Sequence, residues 1–208
     1  MFNEACNVKL DLSANFKWEE YRQIAEFIDA EMEADLRCWT GVTKRGFYNY
    51  ILFDGGKLKL VLEWFKDAER RGIKLTDTER VSAIVSCIFY VGKGRADRAL
   101  QHLKEAHDTT KKNEKVKIIR EIWNKNQGVI IHQFFNYSTS FEASTREAIL
   151  IDFIGKEHLS NERKGTFYGS LGKWGVPKFH NMGFYYTLLV LERLTIQKHN
   201  VFLKYDIV

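Results

Sequence analysis

Residues 86–107, SCIFYVGKGRADRALQHLKEAH, change character in the middle. The run SCIFYVG is short and mostly apolar and reads as a buried strand, ended by the glycines of VGKG. In ADRALQHLKEAH, by contrast, Ala96, Ala99, Leu100, Leu103 and Ala106 fall on one side of a helix. Working outward, FYNYILFD at 47–54 is aromatic and β-branched and reads as a strand, with Gly55-Gly56 as its closing turn. Residues 57–71 form an amphipathic segment that stops at Gly72, and Thr76 with Glu79 makes a capping box for a further short helix. Downstream, Asn113 to Lys125 reads as a basic amphipathic helix, VIIHQFF at 129–135 as a third strand, and 141–155 as a helix stopped by Gly155. The segment 181–198 reads as an apolar helix after a loop that carries the only proline, Pro177. At the other end, Asn15 is a candidate cap for a helix with Trp18, Tyr21, Ala25, Ile28 and Met32 on one face. Strands and helices in this order make a small α/β domain.

The 208 residues suit one domain with a real core. A hydrophobic fraction of 45% against 28% charged, with one proline, excludes collagen-like, low-complexity and disordered chains. The net charge of +5 permits a polyanionic partner without demanding one. Cys6, Cys38 and Cys87 are an odd number without a CxxC pair, which argues against a disulfide framework or a four-thiolate zinc site and favours a reducing compartment. MFNEACNVKLDL lacks the pattern of a secretory signal. The longest apolar stretch, residues 183–191, falls short of the roughly 20 residues of a membrane-spanning helix. The expected location is therefore intracellular, nuclear or cytoplasmic, and not secreted.

Phosphate-loop, dinucleotide, zincin and α/β-hydrolase motifs are all missing from the sequence. What stands out is a tyrosine-bearing pair of strands, Tyr50 at the head of YILFD and Tyr90 at the head of YVGKG. Arg98 and His102 follow at i and i+4 on one helix face, and Glu147 lies on a later helix. This ordered set resembles the GIY-YIG nuclease superfamily. The blocks IFYVGKG, IIREIWNKNQGVIIHQFF, EASTREAILIDFIG and LSNERKGTFYG are similar to the branch that holds the ankyrin-repeat and LEM-domain endonucleases. The resemblance covers about residues 47–170, and residues 1–46 fall outside it. The first motif here reads Gly46-Phe-Tyr48-Asn-Tyr50, so either Tyr48 or Tyr50 fills its tyrosine position; the spacing Tyr50-x-x-x-Asp54 favours Tyr50. Residues 55–86 are an insertion between the two tyrosine motifs, with the potential to shape substrate choice.

The resemblance implies a small three-stranded antiparallel sheet flanked by helices as a catalytic domain over 47–170, and the periodicity of the two ends adds a helical N-terminal extension over 1–46 and a helical C-terminal extension over 171–208. It also implies a DNA endonuclease that uses Mg2+ or Mn2+, acting on branched or distorted DNA in genome maintenance. The implied catalytic set is Tyr50, Tyr90, Lys93, Arg98, His102, Glu147 and Asn161. Tyr50 would be the general base, helped by nearby cations because a free phenol has a pKa of about 10. Arg98 offers a planar fork for a phosphate oxygen, His102 holds or relays a proton, and Asn161 orients phosphate or backbone. Glu147 would hold the metal beside the leaving oxygen. Lys111, Lys112, Lys115, Arg163 and Lys164 are candidate phosphate-backbone contacts. Ordinary readings stand beside these. Tyrosines fill cores, a lysine cluster is usually a solvated helix face, and His132 suits a core strand. His107 is off the His102 face, and Arg95 lacks the i+4 relation that Arg98 has. The alternative functions are a degenerate nuclease fold that binds nucleic acid without cutting it, and a helical protein-interaction adaptor.

Overall fold

A computed structural model describes residues 18–40, 45–169, 176–196 and 201–206. Its centre is β1 (Phe47–Asp54), which pairs antiparallel with β2 (Ile88–Gly94) on one side and β3 (Val129–Ser138) on the other. A fourth strand, β4 (Val201–Phe202), pairs with β3, so the sheet order is β2-β1-β3-β4. The expected sheet had three strands and the expected C-terminal extension was wholly helical. Two residues show no alternation from which a strand can be read, and β4 is held instead by tertiary contact, with Trp123 Nε1 donating to the Phe202 carbonyl at 3.1 Å.

Alternation along β1 builds two cores. Ile51 and Phe53 face α6 (Ser140–Ile154), α7 (Val176–Ile196) and α1 (Trp18–Thr40). Tyr48, Tyr50 and Leu52 face α4 (Arg98–His107) and α5 (Glu114–Asn124), whose Ala99, Leu103, Val116, Ile119 and Ile122 are buried there. Helix α6 is wrapped on nearly all sides, and even its Glu142 and Arg146 are buried. Arg146 reaches Asp29 at 3.3 Å and Glu33 at 2.9 Å, fastening α1 to α6. In α1, Ala25, Ile28 and Met32 face inward as their spacing predicts, joined by Leu36. Asn15 and Cys6 lie outside the described residues. Neither Cys38 nor Cys87 is in a disulfide among the described residues, and no described helix is long and apolar enough to cross a membrane.

The insertion folds as α2 (Gly55–Arg70) and α3 (Asp77–Val85), the latter opened by the expected Thr76/Glu79 capping box. Gly55 and Gly56 do not form a turn. They begin α2 directly, with the Asp54 carboxylate accepting from the Gly56 and Lys57 N–H groups at 3.0 and 3.1 Å. Glycine is needed there for space, since a Cβ on Gly55 would lie 2.3 Å from the Gly128 carbonyl oxygen. Pro177 is inside the first turn of α7 rather than in the loop before it, where its missing N–H costs nothing.

The free edge of β2 is covered. The Ser160 N–H and hydroxyl both donate to the Phe89 carbonyl at 2.8 Å. Asn161 mimics a strand residue, its Oδ1 accepting from the Val91 N–H at 3.1 Å and its Nδ2 donating to the Val91 carbonyl at 2.7 Å. This strap leaves the surface around Tyr90 and Lys93 open as a cleft.

Candidate active site

A cleft of about 470 Å³ lies along the edge of β2, lined by Tyr90, Lys93, Arg98, Lys115, Glu147 and Asn161, with Arg163 among the residues of its rim. Strand β2 supplies Tyr90 and Lys93, the start of α4 supplies Arg98, α5 supplies Lys115 and α6 supplies Glu147. Residues distant in sequence therefore share one hollow because β2 is an edge strand with a helix on each face.

Behind Tyr90 sit two buried partners. The Tyr50 hydroxyl lies 2.6 Å from His102 Nε2, and the Tyr90 ring centroid is 6.1 Å from that of Tyr50 and 5.1 Å from that of His102. Two glycines make this packing possible. A Cβ on Gly92 would fall 2.4 Å from the Tyr50 ring, and one on Gly94 would fall 2.5 Å from the Arg98 side chain. The glycines of YVGKG thus give Tyr50 and Arg98 room to lie across the strand. Tyr48 shares the face of Tyr50, their rings 5.9 Å apart, but does another job. Its hydroxyl donates to the Ala96 carbonyl at 2.8 Å and accepts from the Ala99 N–H at 3.2 Å, closing the turn from β2 into α4. That turn includes Ala96 at φ 49°, which is why α4 starts at Arg98 and not earlier.

Burial sets the electrostatics. It pushes the Tyr50 and Tyr90 phenols above the ordinary tyrosine range; the Tyr90 phenol and the Glu147 carboxylate add to the respective shifts. Burial, then the Lys115 and Arg98 cations, push His102 down to about 4, so its imidazole is neutral at physiological pH and has one nitrogen free to accept a hydrogen bond. Glu147 is pushed up to about 7 by burial, against the pull of the Lys93 ammonium and the Lys93 backbone N–H. The Lys93 ammonium also donates to the Ser144 hydroxyl on α6.

The structure divides the expected basic residues. Lys115 lies in the cleft with its ammonium 4.4 Å from the Tyr90 ring centroid, a cation–π contact. Burial lowers its pKa to about 8, with Glu105 opposing and Arg98 adding to the shift. Lys111, Lys112 and Lys164 are exposed and do not line the cleft. Lys117 pairs with Glu114 at 3.1 Å. Arg95 lies over the Phe47 ring, His107 packs on Trp123, and His132 is buried in β3. The Asn161 amide is occupied by Val91, so its observed work is to hold the β2 edge. Glu105 was not among the expected site residues. Its Oε2 is 3.4 Å from His102 Nδ1 and its Oε1 is 3.6 Å from Arg98 Nη1. Its signal in the sequence is its place three residues after His102 on the same helix face.

Among known proteins, the chain is 36% identical over 154 residues to mouse ankyrin repeat and LEM domain-containing protein 1 and 33% identical over 156 residues to the human protein of that name. Each alignment covers 71% of this chain, and 27% and 24% of the relatives, so the chain spans about a quarter of their length. A Caenorhabditis elegans homolog is 34% identical over 101 residues, covering 45% of this chain and 14% of its own. No solved structure matches the chain. Residues 47–207 match the LEM-3-like GIY-YIG domain, and the chain belongs to that family.

Proposed function

We propose that the cleft hydrolyses phosphodiester bonds in DNA. The observation that carries this reading is the convergence of one half-buried carboxylate, Glu147, and three cations, Lys93, Arg98 and Lys115, on Tyr90, directly in front of the buried Tyr50–His102 pair. Cations in a water-poor hollow hold an anionic diester and stabilise the charge that grows as water attacks. The raised phenols rule out a standing tyrosinate near neutral pH. The chemistry needs none. Tyr90 meets the water in the cleft and takes its proton, Tyr50 takes the proton of Tyr90, and neutral His102 takes that of Tyr50 at Nε2. Tyr50 is thus the inner member of a tyrosine pair rather than a lone base.

A divalent ion fits the carboxylate end. Glu147 opens on the cleft as its half-buried carboxylate, with Glu162 exposed at the rim, and among the described residues no cluster of three or more His, Cys, Asp or Glu offers an alternative metal cage. One carboxylate with water and substrate is a usual way to hold Mg2+. When bound, Mg2+ or Mn2+ supplies Lewis-acid stabilisation to the departing oxygen. Arg163 extends the positive rim, and Lys111, Lys112 and Lys164 are proposed as outer backbone contacts. Branched or distorted DNA in genome maintenance is the proposed substrate, supported by the resemblance of the motif blocks to the ankyrin-repeat and LEM-domain endonucleases.

The test is a panel of end-labelled linear duplex, flap, three-way and four-way DNAs incubated with the purified chain in Mg2+, Mn2+, Ca2+ or EDTA. Cleavage of branched substrates in Mg2+ or Mn2+, abolished by EDTA, is expected. Equal cutting of all substrates would remove the substrate assignment, and cutting in EDTA would remove the metal.

A further inference from the structure

We infer that Glu105 is a positioning residue for the reaction proposed above: its carboxylate accepts the His102 Nδ1–H, fixes that tautomer, and leaves Nε2 able to take the Tyr50 proton. His102 is 0% exposed, so its two ring nitrogens have only protein partners, the Tyr50 hydroxyl at 2.6 Å and the Glu105 carboxylate at 3.4 Å. A neutral imidazole carries one N–H, and two arrangements are open.

With the proton on Nε2, the ring donates to the Tyr50 oxygen, and the Nδ1 lone pair is aimed at a carboxylate oxygen. Two acceptors then face each other inside the protein, and no proton can pass from Tyr50 to histidine. With the proton on Nδ1, the ring donates to Glu105 and accepts from Tyr50, and both contacts are attractive. The second arrangement satisfies every polar atom of the pair. Arg98 holds the other carboxylate oxygen at 3.6 Å, which keeps Glu105 turned toward the ring. The 3.4 Å contact is long for a hydrogen bond at rest. It has room to shorten as the imidazole gains charge, which is when a carboxylate partner stabilises it most. Glu105 is part-exposed on α4 and does not line the cleft. It therefore acts through His102 and not on the substrate.

The inference rests on the nuclease reading for its consequence, but its first readout does not require cleavage. In the full chain labelled with 15N-histidine, the His102 resonances, identified by their loss in His102→Ala, should show a protonated Nδ1 and an unprotonated Nε2. In Glu105→Ala the protonated site should move wholly or partly to Nε2. A wild-type Nε2–H tautomer, or an unchanged tautomer in Glu105→Ala, would overturn the assignment. The kinetic readout is single-turnover cleavage of branched DNA in Mg2+. Glu105→Ala should lower its rate on the order of 10²-fold with DNA affinity unchanged, and should lower it no further in a Tyr50→Phe background, because both changes break one path. Fully additive losses would also overturn it. A chain that shows the tautomer shift but cuts nothing would refute the nuclease reading while upholding Glu105 as the group that sets the His102 tautomer.

Discussion

The Tyr50 hydroxyl lies 2.6 Å from His102 Nε2, and the two side chains are only 1% and 0% exposed. Each is the other's answer to burial: a phenol and an imidazole that would otherwise sit unsatisfied share one short bond. That makes the pair structural as well as chemical, and the two aspects separate under mutation.

Tyr50→Phe keeps the ring and deletes the bond. Cleavage should fall by at least about 10²-fold, DNA affinity should hold, and stability should drop by roughly 1–2 kcal/mol because the buried His102 Nε2 loses its partner. Lys112→Ala, on an exposed site away from the cleft, should instead weaken binding modestly on every DNA and flatten the salt dependence. Gel-shift titrations at two salt concentrations, alongside cleavage rates, separate the two behaviours.

Glu147 predicts a stability signature with no need for activity. Its folded pKa of about 7 lies above the ordinary 4.5. Between those values the native state holds a proton that the unfolded state has released, so stability falls as pH rises through this window. Glu147→Gln removes the titration. Urea unfolding should find it more stable than wild type at pH 8 by roughly 2–3 kcal/mol, with the gap closing below pH 4.5. Mg2+ or Mn2+ should raise the wild-type melting temperature and leave that of Glu147→Gln unmoved. A gap that is constant with pH would contradict the account.

The path from sequence to this site was partly legible. Tyr50, Tyr90, Arg98, His102 and Glu147 were picked out because their order and local spacing resemble the GIY-YIG pattern, and the capping box at Thr76 because its chemistry is local. Strand β4 was not, since two residues carry no periodicity. Gly55-Gly56 misled because glycine signals a turn and a close packing equally well, and only the Gly128 carbonyl shows which one holds. The lysine run looked uniform in sequence. Lys111 and Lys112 lie exposed in the loop before α5, whereas Lys115, in the first turn of that helix, turns onto Tyr90. Glu105 was missed because an acid beside a basic helix face is ordinary until the imidazole behind it is seen to be buried.

Gly92→Ala tests the packing that the second motif provides. The new methyl would fall 2.4 Å from the Tyr50 ring, and the ring has to leave His102 to make room. Stability should fall by about 1–3 kcal/mol, and cleavage should fall as far as in Tyr50→Phe. Retained cleavage at wild-type rate would show that the Tyr50–His102 bond is dispensable.

Lys115 and Lys111 are neighbours in sequence and should behave differently. Lys115→Ala should lower the single-turnover rate, whereas Lys111→Ala should alter only salt-dependent binding. Because the Lys115 pKa is lowered to about 8, its charge is present below that pH and lost above it. The wild-type rate should therefore decline as pH rises past 8, and that decline should be absent from Lys115→Ala. Rate profiles from pH 6 to 9.5 on one branched substrate measure this.

The most direct measurement is single-turnover cleavage of branched DNA in Mg2+ by the wild-type chain and by Glu147→Ala, with DNA affinity measured for both. The account predicts cutting by the wild type, a loss of at least about 10²-fold in the variant, and equal affinities. A wild-type chain that binds DNA without cutting it, or a Glu147→Ala variant that cuts as fast, would contradict it.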